Sequence, residues 1–202
     1  MKTPMAMRFR GFLPIVVDVE CGGVDPQRDA LLELGAVSLS LDENGLIQPD
    51  KEYHYHIQPF EGGHLNPAAL AFNKIDPHHP FRFALPEHEA LNEFFAQVRQ
   101  ECKNKGCTRA VLVGHNAWFD QHFLNAAIAR NLSLKNPFHK FTSLDTATLS
   151  ALAYGQTVLP KALEEAGIPY DTEEAHSALY DAQCTAALFC TIINKWKSMN
   201  DK

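Results

Sequence analysis

The stretch IVVDVECGG, residues 15–23, sets two carboxylates into what otherwise reads as a buried β-strand. Ile15, Val16, Val17 and Val19 are β-branched or otherwise apolar strand formers, and Asp18 and Glu20 interrupt them. Side chains alternate across a strand, so Asp18 and Glu20 project side by side from one face. Like charges held that close and partly desolvated repel, unless a cation or a shared proton intervenes.

Working outward, residues 12–19 form the predicted first strand, and ECGGVDPQRD is a Gly/Pro turn after it. ALLELGAVSLSL (30–41) is a second strand closed by the turn signal DENG, and KEYHYHIQPF (51–60) alternates as a third. The short connections predict an antiparallel meander. NPAALAFNKI (66–75) is a short helix begun by Asn66 with Pro67 at its first position. Residues 86–106 form an amphipathic helix with Leu91, Phe94, Phe95 and Val98 in one stripe, stopped by Gly106. RAVLVGHN (109–116) is a buried strand of the parallel type, followed by a helix over 118–132. Residues 142–155 pass from a short strand into a helix, VLPKALEEAGI supplies another, and a long helix from EEAHSALYD ends the chain. Early antiparallel strands followed by strand–helix alternation predict one α/β domain over residues 1–202: a mixed sheet, meander first and parallel strands after, flanked by helices. That order is compatible with a ribonuclease H-like fold.

At 202 residues, 46% hydrophobic and 21% charged, the chain can bury a sizeable core. Its apolar runs are too short to span a bilayer, and MKTPMAMRFRGF leads into no stretch of signal-peptide length. The expectation is a soluble cytoplasmic protein with no membrane partner. Five cysteines without CxxC spacing argue against disulfides and zinc knuckles and fit a reducing compartment. Of ten histidines, His54 and His56 share a strand face, but no nearby cysteine or third ligand completes a zinc set, so they read as a polar face. The net charge of −6 mildly opposes a nucleic-acid binder, although a carboxylate-rich cation site would itself account for several of those charges.

Further acids stand where apolar residues are expected. Asp120, in GHNAWFDQHF, falls in the first turns of a helix, where an acid suits the dipole. Asp181, in AHSALYDAQCTAALF, lies near the apolar stripe of the last helix, with His176 five residues before it. Asp145, in SLDTATLS, follows a strand and reads as an N-cap rather than a ligand. Each acid has a structural explanation alone. Together, Asp18, Glu20, Asp120 and Asp181 make a cysteine-free oxygen cluster of the kind that suits hard cations. Two such ions about 4 Å apart clamp the attacking and leaving oxygens of a phosphoryl displacement, and a nearby His can accept the proton of the attacking water.

DVE at 18–20, HNAWFD at 115–120 and HSALYD at 176–181 resemble, in order and spacing, the three motifs of the DEDDh family of 3′→5′ exonucleases. RFRGF, DALLELGA, LAFNKIDP, NPFHKF, GQTVL and AHSALYD extend the similarity over nearly the whole chain, to the ribonuclease T branch of that family. The resemblance implies that Asp18, Glu20, Asp120 and Asp181 bind two Mg²⁺ ions, with Mn²⁺ as the alternative. Asp18 bridges both, and His176 joins the cluster as the base. It implies hydrolysis of 3′ ends of structured RNAs, in tRNA end turnover and stable-RNA maturation, releasing nucleoside 5′-monophosphates. Single-stranded DNA 3′ ends are a further substrate on this reading. It assigns Phe72, Phe119 and Phe141 to the terminal bases. Arg8, Arg10, Lys103 and Arg109 become a basic patch that feeds RNA to the other subunit of a homodimer; Lys105 and Lys135 lie near that group in sequence. Two positions depart from the branch's pattern, Val24 standing for Phe and Ala68 for Glu, both associated with substrate binding and base discrimination. The rival readings are a DNA proofreading or repair 3′→5′ exonuclease, a non-catalytic nucleic-acid-binding module, and a structural dimerisation domain whose acids are helix caps.

Overall fold

The computed structural model describes residues 3–200. Its centre is a five-stranded sheet of β1 (Phe12–Cys21), β2 (Leu31–Leu41), β3 (Ile47–His56), β4 (Arg109–Gly114) and β5 (Phe138–Asp145), in the order β3-β2-β1-β4-β5. β1 pairs antiparallel with β2 and β2 with β3, whereas β4 runs parallel to both β1 and β5. The meander and the parallel half are both as the sequence predicts. Among the described residues, six α-helices accompany the sheet: α1 (Pro67–Asn73), α2 (Glu87–Asn104), α3 (Trp118–Arg130), α4 (Thr146–Tyr154), α5 (Leu159–Ala166) and α6 (Ala178–Asn200).

The alternation of β1 divides the core. Ile15, Val17 and Val19 face one layer, where Phe94, Phe95 and Val98 of α2 and Phe123 of α3 are buried with them. Val16 faces the other layer, against Ala182, Ala186 and Phe189 of α6. α5 packs on the outer side of α6 through Ala162, Leu163 and Leu188. Asp18 and Glu20 continue the Val16 face, so they point toward the start of α6.

Several element bounds differ from the sequence expectation. β5 starts at Phe138 rather than 142, because Phe138 already pairs with Ala110 ahead of an irregularity in the β4–β5 ladder. β3 occupies Ile47–His56 rather than 51–60. Its first residues pair with Leu39, Ser40 and Leu41 across a bulge, and the strand tolerates Pro49 because it lies at the sheet edge. The last helix begins at Ala178, leaving His176 outside it in a left-handed turn (φ 68°). α1 ends at Asn73, short of the expected 75, where Lys74 turns left-handed (φ 56°), while its Asn66 cap agrees with expectation, the Asn66 side chain accepting a hydrogen bond from the Ala68 N–H. Among the described residues, no helix is long and apolar enough to cross a membrane.

Candidate active site

The site forms where β1 outruns its parallel neighbour. β4 stops at Gly114 while β1 continues to Cys21, so the Val19 N–H lacks a strand partner on that side. Asp120, buried in the first turn of α3, supplies one: its Oδ1 accepts from Val19 N at 3.0 Å. An acid that suited a helix start in sequence thus reaches across to the strand that carries Asp18 and Glu20. Asp181, buried in the first turn of α6, comes from the other layer. Its Oδ2 accepts from the His176 backbone N–H at 3.0 Å, and its Oδ1 lies 3.5 Å from the Tyr170 hydroxyl.

Close approach of α6 to the sheet depends on Gly35. It pairs with Asp18, and a Cβ there would lie 2.2 Å from the Ala178 carbonyl carbon and oxygen. Gly23, in the turn after β1, is similarly confined, because a Cβ would meet Asp29 Oδ2 at 2.1 Å. Asp29 in turn accepts from the Asp25 N–H at 2.8 Å and is paired with His64 at 2.7 Å, which fixes the turn.

Electrostatics repeat the puzzle of the opening stretch. Low-dielectric surroundings push the Asp18 pKa well above the usual carboxylate range, and the charges of Asp120, Glu20, Asp181 and Glu33 push it further. Glu20 is raised to about 8, chiefly by burial and then by Asp181 and Glu33; a hydrogen bond from Asn73 opposes this. Burial raises Asp120 to about 8 against the pull of its backbone hydrogen bonds, and raises Asp181 against contacts from His176 and Tyr170. Four acids that resist ionising together are a set of hard oxygen donors lacking a positive charge, which fits divalent cations of the Mg²⁺ or Mn²⁺ type. Ligand-capable atoms of Glu20, His176 and Asp181 lie within 4.8 Å of one another. His176 therefore stands with the acids, as the motif spacing suggests.

A cleft of about 670 Å³ adjoins these acids, lined by Glu20, Phe72, Asn73 and Phe119 among others. Val24 and Ala68, the two departures from the family pattern, line the same cleft. The Phe72 ring packs on the His176 ring with centroids 4.1 Å apart. Phe141, on β5, is 83% exposed and does not line the cleft. The basic residues stand elsewhere. Arg109 pairs with Phe12 at the start of β1, about 20–26 Å along the strand from Asp18 and Glu20. Lys103 and Arg109 line a pocket of about 420 Å³ there, Arg10 precedes β1, and Arg8 donates to the Gly45 carbonyl at 3.3 Å. Lys105 is engaged by Asp50 and by Glu101.

Asp145 is a cap: its Oδ1 accepts from Ala147 N at 2.8 Å and from Asn116 N at 3.2 Å. Sequence reading missed Asn73 and Glu33. Asn73 is buried, and its Nδ2 donates to the Cys21 carbonyl at 3.1 Å, tying α1 to the end of β1. Glu33 is a buried acid on β2 paired with both Glu20 and His56; its signal was a carboxylate inside an apolar strand, as for Asp18. Glu33 also supplies the third ligand-capable group that His54 and His56 lack in local sequence.

A family model described as exonuclease, RNase_T, matches residues 15–189. The chain belongs to this exonuclease family. It is 54% identical over 198 residues to a ribonuclease T of Hahella chejuensis (strain KCTC 2396), covering 98% of this chain and 91% of the relative. To a ribonuclease T of Cronobacter sakazakii (strain ATCC BAA-894) it is 52% identical over 197 residues, covering 98% and 88%. Among solved structures, the nuclease domain of 3′hExo, a DEDDh family member bound to rAMP, superposes with a TM-score of 0.71 at 18% identity, over 91% of this chain and 92% of that one. At that identity the likeness bears on the fold, a ribonuclease H-like mixed sheet. Membership makes the chain a divalent-metal-dependent 3′→5′ exonuclease.

Proposed function

We propose that the chain is an exoribonuclease that removes nucleotides from the 3′ ends of tRNA and other stable RNAs, working in the cytoplasm as a homodimer. The observation that carries this reading is the convergence of Asp18, Glu20, Asp120 and Asp181 beside His176, at the mouth of an aromatic cleft. Asp18, Glu20, Asp120 and Asp181 would hold two Mg²⁺ ions. When bound, the ions supply neutralisation of the acid cluster and of charge on the phosphodiester oxygens. His176 takes one proton on its imidazole from the attacking water. That water's oxygen bonds to the terminal phosphorus, and the bond from phosphorus to the 3′ oxygen of the shortened chain breaks. The 3′ oxygen is protonated from solvent, and the released nucleotide keeps its 5′-phosphate. The backbone bond from His176 to Asp181 fixes the turn that aims the imidazole.

Phe72 and Phe119 stack on the terminal bases, and such contacts contribute roughly 1–3 kcal/mol per base. Because Phe72 also packs on His176, base stacking and positioning of the base are linked. Phe141 reaches the RNA outside the cleft. Arg8, Arg10, Lys103 and Arg109 are too far from the acids to serve them within one chain, which supports a role toward the active site of a second copy. Five free, buried cysteines suit the reducing cytoplasm.

The test is end-directed cleavage of 5′-labelled RNA and DNA of matched sequence, with paired stems and short 3′ overhangs. Faster trimming of the RNA overhangs is expected, and a clear preference for DNA would overturn the substrate assignment. Mixing Asp18→Asn protein with a Lys103→Ala, Arg109→Ala double variant tests the dimer: exchange of subunits restores activity above that of either variant alone. No gain on mixing would contradict action between subunits.

A further inference from the structure

β3 brings two imidazoles to the same sheet face as Glu33. Glu33 pairs directly with His56, and His54 stands two residues before it on the same side. The carboxylate is shut in, at 5% residue exposure, whereas the side chains of His54 and His56 are 34% and 38% exposed. One ligand-capable atom from each of the three lies within 4.8 Å of the others. His54 Nε2 is 2.7 Å from Glu33 Oε1, and His56 Nδ1 is 3.9 Å from Oε2. His56 Nδ1 is buried and has no hydrogen-bond partner. An unsatisfied buried nitrogen beside a carboxylate and a second imidazole costs stability, and a metal ion that accepts its lone pair removes that cost.

We propose that Glu33, His54 and His56 form a second metal site, distinct from the acid cluster, that takes a borderline divalent ion of the zinc class. Two imidazole nitrogens and one carboxylate, with a fourth position left to solvent, are a donor set for zinc rather than for magnesium. The catalytic set is mostly carboxylate oxygen and leans toward harder ions. Chelation requires the 2.7 Å contact between His54 and Glu33 to open to about 3.3 Å, the spacing of tetrahedral ligands on zinc. His54 is open enough to solvent to make that adjustment. Arg82 lines the pocket beside Glu33 and His56, but its guanidinium is turned to the Leu32 and Ile57 carbonyls. Glu33 Oε1 also lies 3.3 Å from the Ala178 N–H, so the ion is coupled to the start of α6, next to His176 and Asp181.

Zinc is titrated against a competing chromogenic chelator into full-length protein held in excess Mg²⁺. Wild type and Asp18→Asn are each expected to bind one zinc per chain, and a His54→Gln, His56→Gln double variant to bind at least about tenfold more weakly. Cobalt added to Asp18→Asn gives the intense visible bands of a four-coordinate ion, a readout that needs no change at the histidines. Zinc binding lost in Asp18→Asn but kept in the double variant would overturn the proposal. Weak six-coordinate cobalt bands, or no zinc retained against the chelator, would do the same.

Discussion

Replacing Asp18 by Asn in metal-free protein should make the fold more stable, and more so at pH 8 than at pH 5. Glu20 and Asp120 are raised from ordinary values of 4.5 and 3.8 to about 8, and Asp18 is also well above its ordinary value. A carboxyl with a higher pKa in the fold binds its proton more tightly there than in the unfolded chain. The associated stability is complete below about pH 4 and is lost as the pH climbs toward 8. The Glu20 displacement alone corresponds to roughly 5 kcal/mol, an upper figure because the side chain is partly open to water and shares its repulsion with other acids. Asp18 and Glu20, two residues apart on one strand face, are separated by about 6.6 Å, and their repulsion at an effective dielectric of 20 is about 2.5 kcal/mol. Because the pair is only partly ionised near pH 8, removing one carboxyl should stabilise the metal-free protein there by about 1–2 kcal/mol, or about 2–8 °C in melting temperature. The assay is thermal unfolding in chelator at both pH values, repeated with Mg²⁺. In Mg²⁺ the wild type should gain stability and the variant should gain less. A variant less stable than wild type in chelator at pH 8, or an advantage equal at both pH values, would refute the reasoning.

Gly35→Ala forces a Cβ against the Ala178 backbone at 2.2 Å, so it should cost about 1–3 kcal/mol and lower kcat by shifting His176 and Asp181. Melting and single-turnover kinetics check both effects together. Phe72→Ala should raise KM by roughly 5- to 150-fold, matching about 1–3 kcal/mol of lost stacking, with Phe72→Tyr restoring most of it. Because Phe72 packs on His176, kcat should fall as well in Phe72→Ala.

The alternation that sets Asp18 and Glu20 on one face is a local property of one strand, so this part of the candidate site is legible without any long-range contact. Asp120 and Asp181 were legible as acids at apolar or boundary positions, and the three motif spacings joined them to the first strand. What local sequence does not carry is pairing. Glu33 shares a row with Glu20 and His56 only because β2 lies between β1 and β3 in one particular register. The earlier start of β3 depends on the bulge in its pairing with β2 and on an edge position that tolerates Pro49. His176 stands outside α6 because its backbone takes a left-handed turn that no helical periodicity reveals. That turn brings the ring to Phe72 and the backbone N–H to Asp181.

The most direct measurement is the product analysis of 5′-labelled RNA incubated in Mg²⁺ with wild type and with folded Asp18→Asn. Stepwise shortening from the 3′ end with release of nucleoside 5′-monophosphates by wild type, and none by the variant, is the predicted result. Full activity in Asp18→Asn, or release of 3′-phosphorylated products, would contradict it.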